Sequence, residues 1–257
     1  MTSEKETPLL LSFLDNLAPV SDNKTLPSDE LIDACFEIQK NRPDSNGDLD
    51  ASYIVPILSG MKRDALVQKL SDFVRGGDEM FRVSLRRMSE RLGRYALIFR
   101  DEPDPSEPTL RGMSSCEQMV YLHRLDFQKV GIPQKRYLDA IRLCLEDEEV
   151  FNDRVVQATL DYISGKFLEG ESLPLAYLRT IILVLSKHES LHSWICHVLL
   201  PRLVEGKIYE DKRQWEGWMR CAKMLEGGKD SGVSSLEAIQ KLPEDKLAIY
   251  RAKYPKK

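Results

Sequence analysis

Apolar residues recur at spacings of three and four in one segment after another, and this periodicity restricts the fold more than any other feature. In Ser28–Lys40 the repeating positions are Leu31, Ile32, Cys35, Phe36 and Ile38. Such spacing places apolar side chains along one face of an α-helix. Similar patterns predict helices over Asp64–Val74, Glu79–Leu92, Gln134–Leu145, Asn152–Ser164, Pro174–Lys187, Leu191–Val204, Asp211–Leu225, Ser234–Leu242 and Asp245–Lys253. The chain is therefore predicted to be all-α.

Local signals support these helices and leave little room for strands. Ser28 can cap the first of them, and Ser114 followed by Glu117 is the signature of a capping box. Ser52–Leu58 carries β-branched residues, but its proline would remove a ladder hydrogen bond, so a short buried helix is predicted there. The other strand candidate, Tyr95–Phe99, continues an arginine-rich helical stretch.

Short breaks between the helices favour neighbours that run antiparallel. The helices follow one another at about two per 35–45 residues, the period range of HEAT-type repeats. An irregular HEAT-like α-solenoid, or multi-helix domain, is therefore predicted as one domain over residues 1–257. Residues 1–7 are predicted to be disordered, and residues 100–112, which contain Asp101–Pro108 (DEPDPSEP), to form an exposed acidic Pro-rich loop. Repeats of this kind expose helix faces and grooves that suit protein partners.

Charge and cysteine content exclude some classes of protein. The 37 Lys and Arg residues face 41 Asp and Glu residues, which gives a formal net charge of −4. A protein that binds nucleic acid through electrostatics is usually basic, so this balance argues against that class. Five cysteines at irregular spacing indicate reduced thiols, as in the cytosol or nucleus.

One segment, His188–His192, matches the H-E-x-x-H pattern of zinc hydrolases. That chemistry needs both imidazoles on one face of a continuous helix, but Ser190 has the character of a helix start. The pattern therefore straddles a turn. Ile195 and Val198 also stand where the metzincin pattern requires Gly and His, and the downstream Glu216 lacks the flanking pattern of a third ligand. A zinc hydrolase using His188, Glu189 and His192 is disfavoured.

No other pattern predicts catalysis. Cys196, His197 and Cys221 could be imagined as a metal or nucleophile site, but Cys196 falls on the apolar stripe of its helix. The chain has no C-x-x-C pair, no phosphate loop and no nucleophile elbow. We therefore expect no enzyme activity, no cofactor and no metal.

A cluster of arginines is the strongest local charge feature, and we call it the arginine stripe: Arg82, Arg86, Arg87, Arg91 and Arg94, continued by Arg100. It could contact an RNA backbone, which would make the chain an RNA-binding helical repeat protein. The other interpretation is a solvated face that pairs with Asp78, Glu79 and Glu90.

The segment Ser172–Leu225 resembles the C-terminal domain of symplekin, the scaffold of pre-mRNA 3′-end processing. The resemblance rests on Leu173, Pro174, Arg179 and Thr180, and on Trp215, Glu216 and Gly217. Tyr53–Gly60, Leu122–Asp126 and Lys135–Asn152 follow in the order of the family, so the resemblance covers about residues 8–257.

This resemblance implies a non-enzymatic nuclear scaffold of cleavage and polyadenylation. It would dock the C-terminal regions of the metallo-β-lactamase endonuclease and of its inactive homologue, with other polyadenylation-complex subunits as partners. Contact with RNA would be indirect or weak, and no membrane is involved. The large N-terminal HEAT domain of full symplekin has no counterpart in this sequence, so its contacts are not carried over.

The interface is placed in the C-terminal part of the chain. Lys207, Tyr209, Trp218 and Arg179 are predicted to face partners, whereas Trp215 is predicted to pack in the core. Two alternatives stay open at this point. Trp218 could belong to the core instead, and Arg179 could be a buried residue that pairs with a carboxylate such as Glu216.

Overall fold

The computed structural model describes residues 6–17, 27–42, 50–92, 97, 99, 111–226 and 236–255. The chain forms two compact units, Met1–Phe151 and Asn152–Lys257. The count of one domain over residues 1–257 stays a prediction. Within the described ranges, no helix is long and apolar enough to cross a membrane.

The first unit consists of short helices. They are α1 (Glu6–Leu17), α2 (Asp29–Asn41), a 3-10 helix (Ala51–Gly60), α3 (Arg63–Arg75), α4 (Asp78–Ser89) with a 3-10 extension (Glu90–Leu92), α5 (Ser115–Arg124) and α6 (Gln134–Glu146). Sequential helices pack on one another, as α3 does on α4 and α5 on α6. This arrangement agrees with the predicted solenoid-like organisation.

The second unit is helical as well. It contains α7 (Asp153–Leu168), α8 (Tyr177–Lys187), a 3-10 turn (Glu189–Leu191), α9 (His192–Trp194), a π-helical turn (Ile195–Leu199), α10 (Leu200–Glu205), a 3-10 turn (Ile208–Glu210), α11 (Lys212–Glu226), α12 (Leu236–Gln240) and α13 (Glu244–Lys253). Among the residues described, the only pairing of β type is an isolated bridge between Lys62 and Arg111. The all-α prediction is confirmed.

The predicted caps are present. The Ser28 hydroxyl accepts a hydrogen bond from the Leu31 amide at 3.2 Å. At the start of α5 the Ser114 hydroxyl accepts from the Glu117 amide at 3.1 Å, and the Glu117 carboxylate accepts from the Ser114 amide at 2.9 Å. Each arrangement satisfies donors that the first turn of a helix leaves unpaired.

The segment Ala51–Gly60 is a buried 3-10 helix, which confirms the short helix predicted from Ser52–Leu58. Ile54, Ile57 and Leu58 are fully buried and form part of the core of the first unit. Pro56 is tolerated because the segment is not part of a sheet, so the amide hydrogen that proline lacks is not needed for a bond to a neighbouring strand. Of the Tyr95–Phe99 candidate, only residues 97 and 99 are described, and neither lies in a strand.

Two boundary predictions meet the described residues only at one end. Residues 1–7 are predicted to be disordered, yet α1 begins at Glu6, while residues 1–5 lie outside the described ranges. The predicted loop over 100–112 also lies outside them except for its last two residues. Gly112 is buried, and its amide donates to the Met61 carbonyl at 2.9 Å, so it belongs to the packed unit rather than to an exposed loop.

The helix predicted over Leu191–Val204 is interrupted by a π-turn. The interior of the predicted helix contains Pro201. Proline lacks an amide hydrogen, and in a regular α-helix its ring would collide with the carbonyl four residues earlier. The backbone widens just before it, where the Leu200 amide donates to the Ile195 carbonyl, five residues back. The helix therefore continues past the proline with one wide turn.

Candidate functional site

The H-E-x-x-H segment straddles a turn, as predicted. His188 ends α8, Glu189–Leu191 is a 3-10 turn, and His192 begins α9. The His192 Nε2 lies 2.9 Å from the Leu185 carbonyl, to which it donates, so that nitrogen is not available to a metal. No group of three or more His, Cys, Asp or Glu side chains within the described part of the chain could hold a metal ion.

His188 is engaged in a different interaction. Its ring is buried, and Nδ1 lies 2.6 Å from Asp153 Oδ1, while the Ser190 hydroxyl donates to the other oxygen of the same carboxylate. The hydrogen bond from Ser190, followed by that from His188, holds the pKa of the Asp153 carboxyl below its ordinary value of 3.8. These contacts tie the start of α7 to the turn after α8.

The five cysteines are buried free thiols. Cys196 is fully buried, as its place on the apolar stripe predicts. Burial raises the pKa of the Cys196 and Cys221 thiols, and it raises the pKa of Cys35 to about 11. Since the thiolate is the nucleophile, these side chains lack the activation that catalysis by cysteine needs.

The three arginines of the stripe whose side chains the structure describes form ion pairs inside the first unit. Arg82 contacts Glu146 at 3.1 Å, and Arg86 holds Asp147 in a bidentate pair at 2.9 and 3.1 Å. Arg87 contacts Asp15 at 2.8 Å. The side chain of Arg91 lies outside the described residues, as do Arg94 and Arg100. The three arginines that the structure describes are therefore ion-paired rather than free.

The acids that form these pairs differ from the predicted ones. Of Asp78, Glu79 and Glu90, Glu90 lies 3.8 Å from Arg87, and Glu79 acts on Arg86 electrostatically without an ion-pair contact among the described residues. Asp78 pairs with Arg136 instead. The other carboxylates come from α1 and from the end of α6. The predicted partners were the acids nearest in sequence, and tertiary packing brings different ones closer.

Trp218 does not belong on a partner-facing surface. Its side chain is completely buried, and its Nε1 donates to the Leu200 carbonyl at 3.1 Å. Trp215 stacks on it with ring centroids 5.1 Å apart, and Tyr250 makes a T-shaped contact with it at 6.4 Å between ring centroids. The two tryptophans, three residues apart on α11, both face the core of the second unit, which confirms the prediction for Trp215.

Lys207 and Tyr209 lie at the surface of the turn before α11. Lys207 is exposed and has a left-handed backbone with φ of 58°. Lys246 extends over the Tyr209 ring, 5.9 Å from its centroid. Both residues are accessible in the second unit, and their contact with a partner stays a prediction.

Helices α8 and α11 pack at short range, and residues of the predicted pattern explain how. Gly217 faces Leu178, and a methyl group at this glycine would lie 2.7 Å from Leu178 Cβ. Thr180 is buried, and its hydroxyl donates to the Ala176 carbonyl at 3.1 Å. The Leu173 and Pro174 carbonyls lie 3.3 and 3.4 Å from the Gln214 side-chain amide, which links the segment before α8 to the start of α11.

A surface pocket lies along this helix pair, and we call it the basic pocket. Its volume is about 930 Å³, and it is lined by Arg179, Ile182, Arg213, Glu216, Gly217, Arg220, Lys223, Met224, Lys253 and Tyr254. Residues from α8 and α11 form most of the wall, and the end of α13 closes it. The charged side chains except Lys223 are exposed, whereas Ile182, Met224 and Tyr254 are half-buried. The pocket thus has cationic walls and an apolar floor.

The basic pocket combines predicted and unpredicted residues. Arg179 and Glu216 both line it, but the exposure of Arg179 rules out the alternative of a buried arginine. Arg213, Arg220 and Lys253 line the pocket without having been predicted from the sequence. A signal was present in α11, where Arg213 and Arg220 stand seven residues apart and so share one helix face.

Comparison with known proteins matches most of the chain to one family. The family model described as symplekin tight junction protein C terminal matches residues 50–254, a range that contains α3 to α13 and the whole basic pocket. No solved structure matches the chain.

Proposed function

Because the chain belongs to the symplekin C-terminal family, we propose that it is a non-enzymatic scaffold that docks the C-terminal regions of the metallo-β-lactamase endonuclease and of its inactive homologue. Family membership itself indicates a scaffolding role in mRNA 3′-end processing, which suggests a nuclear location. The proposal adds the identity of the partners, which include further subunits of the polyadenylation complex.

The observation that carries this proposal is the contrast between the interior and the surface of the second unit. The residues that the structure describes place the tryptophan pair, both cysteines of this unit and Tyr250 in a closed core. The histidines of the zinc-like segment are bound to Asp153 and to a carbonyl, so they support packing rather than catalysis. The part of the unit that other molecules can contact is a helical surface with a large pocket, as expected of a scaffold.

RNA binding through the arginine stripe is the alternative function, and the ion pairs speak against it. A cation that already contacts a carboxylate must give up that contact before it can neutralise a phosphate. Arg82, Arg86 and Arg87 each hold such a contact. We expect the chain to show no steep salt-dependent binding to single-stranded RNA.

The test is affinity capture of the tagged full chain from nuclear extract, followed by identification of the bound proteins. We expect the endonuclease and its inactive homologue to be recovered together. Recovery of neither would overturn the proposal. Surface substitutions are better probes of the interface than removal of residues 208–257, because that deletion would take away Trp215, Trp218 and Tyr250 and so break the core.

A further inference from the structure

We propose that the basic pocket binds an acidic peptide segment, extended and with apolar side chains between its carboxylates, that belongs to a partner protein. This inference rests on the proposed scaffold function and assigns it a binding chemistry. Among the residues that the structure describes, five cations line the pocket against one carboxylate, Glu216. The chain as a whole carries a net charge of −4, so the excess of positive charge is local.

The cations of the pocket are available to a ligand. Arg179, Arg213, Arg220 and Lys253 make no ion pair with any residue that the structure describes. Lys223 differs, since it contacts Glu226 at 3.4 Å and lies 6.0 Å from the Tyr254 ring centroid. Unpaired guanidinium groups can hold carboxylates through two parallel hydrogen bonds. In this respect the pocket is the opposite of the arginine stripe, whose described members are already paired.

The spacing of the arginines suits an extended peptide. Arg213 and Arg220 are seven residues apart on α11, so their Cα atoms are separated by roughly 10 Å along the helix axis. In an extended polyproline II chain, which has three residues per turn, residues three apart lie on the same face and are separated by roughly 9 Å. Carboxylates at positions i and i+3 of such a peptide would therefore lie beside both arginines. Arg179, on the neighbouring helix α8, lines the same pocket.

The floor of the pocket favours a peptide over a nucleic acid. Ile182 and Met224 offer aliphatic surface, which leucine or valine side chains can cover. Single-stranded nucleic acid binds through successive aromatic stacking platforms. Within the described part of the lining, the only aromatic ring is that of Tyr254, which already packs against Tyr250 with ring centroids 5.4 Å apart. Glu216 repels phosphates and carboxylates alike, but it can accept hydrogen bonds from the backbone amides of a peptide, which a nucleic-acid backbone lacks.

The direct test uses a fluorescein-labelled peptide of four Glu-Leu-Ser repeats, whose acids recur at every third position. Its binding to the full chain is measured by fluorescence anisotropy. The same peptide with Gln in place of Glu and an oligouridylate of similar length are measured in parallel. We expect the Glu peptide to bind more tightly than either of the other probes.

The pocket variant is the double substitution Arg213→Glu/Arg220→Glu. The matched control is Arg154→Glu/Arg251→Glu, which changes the charge equally at exposed arginines outside the pocket lining. We expect the pocket variant to weaken binding of the Glu peptide by at least about tenfold and the control by less than about twofold. All four positions are exposed, and matching far-UV circular dichroism and unfolding curves verify that each variant is folded.

Three results would overturn the inference: no binding of the Glu peptide, equal binding by wild type and the pocket variant, or tighter binding of the oligouridylate that the pocket variant abolishes. Capture from nuclear extract separates this failure from that of the proposed function. If wild type recovers the endonuclease pair but the peptide result is negative, the scaffold function stands and the pocket assignment fails. If the peptide binds in the pocket but wild type recovers no endonuclease pair, the proposed function fails and the binding chemistry stands.

Discussion

The contact between Gly217 and Leu178 allows a sharp test of how α8 and α11 pack. In Gly217→Ala, the new methyl group would lie 2.7 Å from Leu178 Cβ and 3.0 Å from its Cγ. The favourable distance between two carbon atoms is about 3.5–4.0 Å. Leu178 Cβ is attached directly to the backbone, so rotation of the side chain does not relieve this contact. The two helices must instead move apart locally.

Two opposing terms determine the size of the effect. Alanine in a helix interior is about 1 kcal/mol more favourable than glycine. Overpacking of a closed interface costs about 1–3 kcal/mol, and the upper part of that range applies because Leu178 is only 4% exposed. We expect Gly217→Ala to lower the free energy of unfolding by about 1–2 kcal/mol.

A second helical glycine supplies the control. Gly165 in α7 has no heavy atom within 4 Å of the position that a methyl group would take. Gly165→Ala should therefore raise the free energy of unfolding by about 0.5–1 kcal/mol. Both variants can be followed by urea unfolding with tryptophan fluorescence, because Trp194, Trp215 and Trp218 are the only tryptophans and all lie in the second unit. Stabilisation by both substitutions would refute the close-packing argument.

Three further substitutions test other local features. Ser114→Ala removes a fully buried helix cap and should cost about 1–2 kcal/mol in urea unfolding followed by circular dichroism, whereas an unchanged midpoint would contradict the capping role. Lys207 has a left-handed backbone conformation that is strained for a residue with a Cβ atom. Lys207→Gly removes this strain and should stabilise the second unit by about 0.5–1 kcal/mol, while Lys207→Ala keeps the strain and should not stabilise it. Asp153→Asn removes a carboxyl whose folded-state pKa lies below 3.8. The stabilisation that the ionised Asp153 carboxylate provides is full above that pH and is lost as the pH falls through the folded-state pKa. The difference in unfolding free energy between wild type and Asp153→Asn should therefore shrink on acidification, and a difference that grew would contradict the assignment.

The helices could be predicted from the sequence because each carries an amphipathic period and many carry a cap. The helix predicted over Gln134–Leu145 spans Gln134–Glu146, and the Ser114 capping box is present. The π-turn over Ile195–Leu199 could not be predicted from periodicity, since a proline inside a helical pattern usually marks an end or a kink. Whether the chain kinks, ends or widens there depends on the packing around it.

The candidate site was harder to predict, because burial is decided by tertiary contacts. Trp218 has the residue type of an interface anchor, but the fold places it between Trp215, Tyr250 and the Leu200 carbonyl. Gly217 belongs to the pattern on which the family resemblance rests, yet only the structure shows that it sets the separation of α8 and α11. The basic pocket is assembled from three helices that are distant in sequence, so no single segment displays it.

Arg86 and Arg220 show why an arginine run in the sequence is not by itself a binding surface. Arg86 forms a bidentate pair with Asp147, whose side chain is only 6% exposed, so Arg86→Glu would leave a nearly buried carboxylate beside a second negative charge. We expect this variant to lose about 2–3 kcal/mol of stability, which is the usual worth of hydrogen bonds to a charged group.

Arg220→Glu affects a residue that has no ion pair among the described residues. Its unfolding free energy should stay within about 0.5 kcal/mol of wild type, while its binding of the Glu-Leu-Ser peptide falls. Urea unfolding followed by circular dichroism and the anisotropy titration, applied to both variants, separate the two roles. The reverse result, weaker peptide binding by a stable Arg86→Glu and an unstable Arg220→Glu, would mean that the stripe is the binding surface and the pocket arginines are structural.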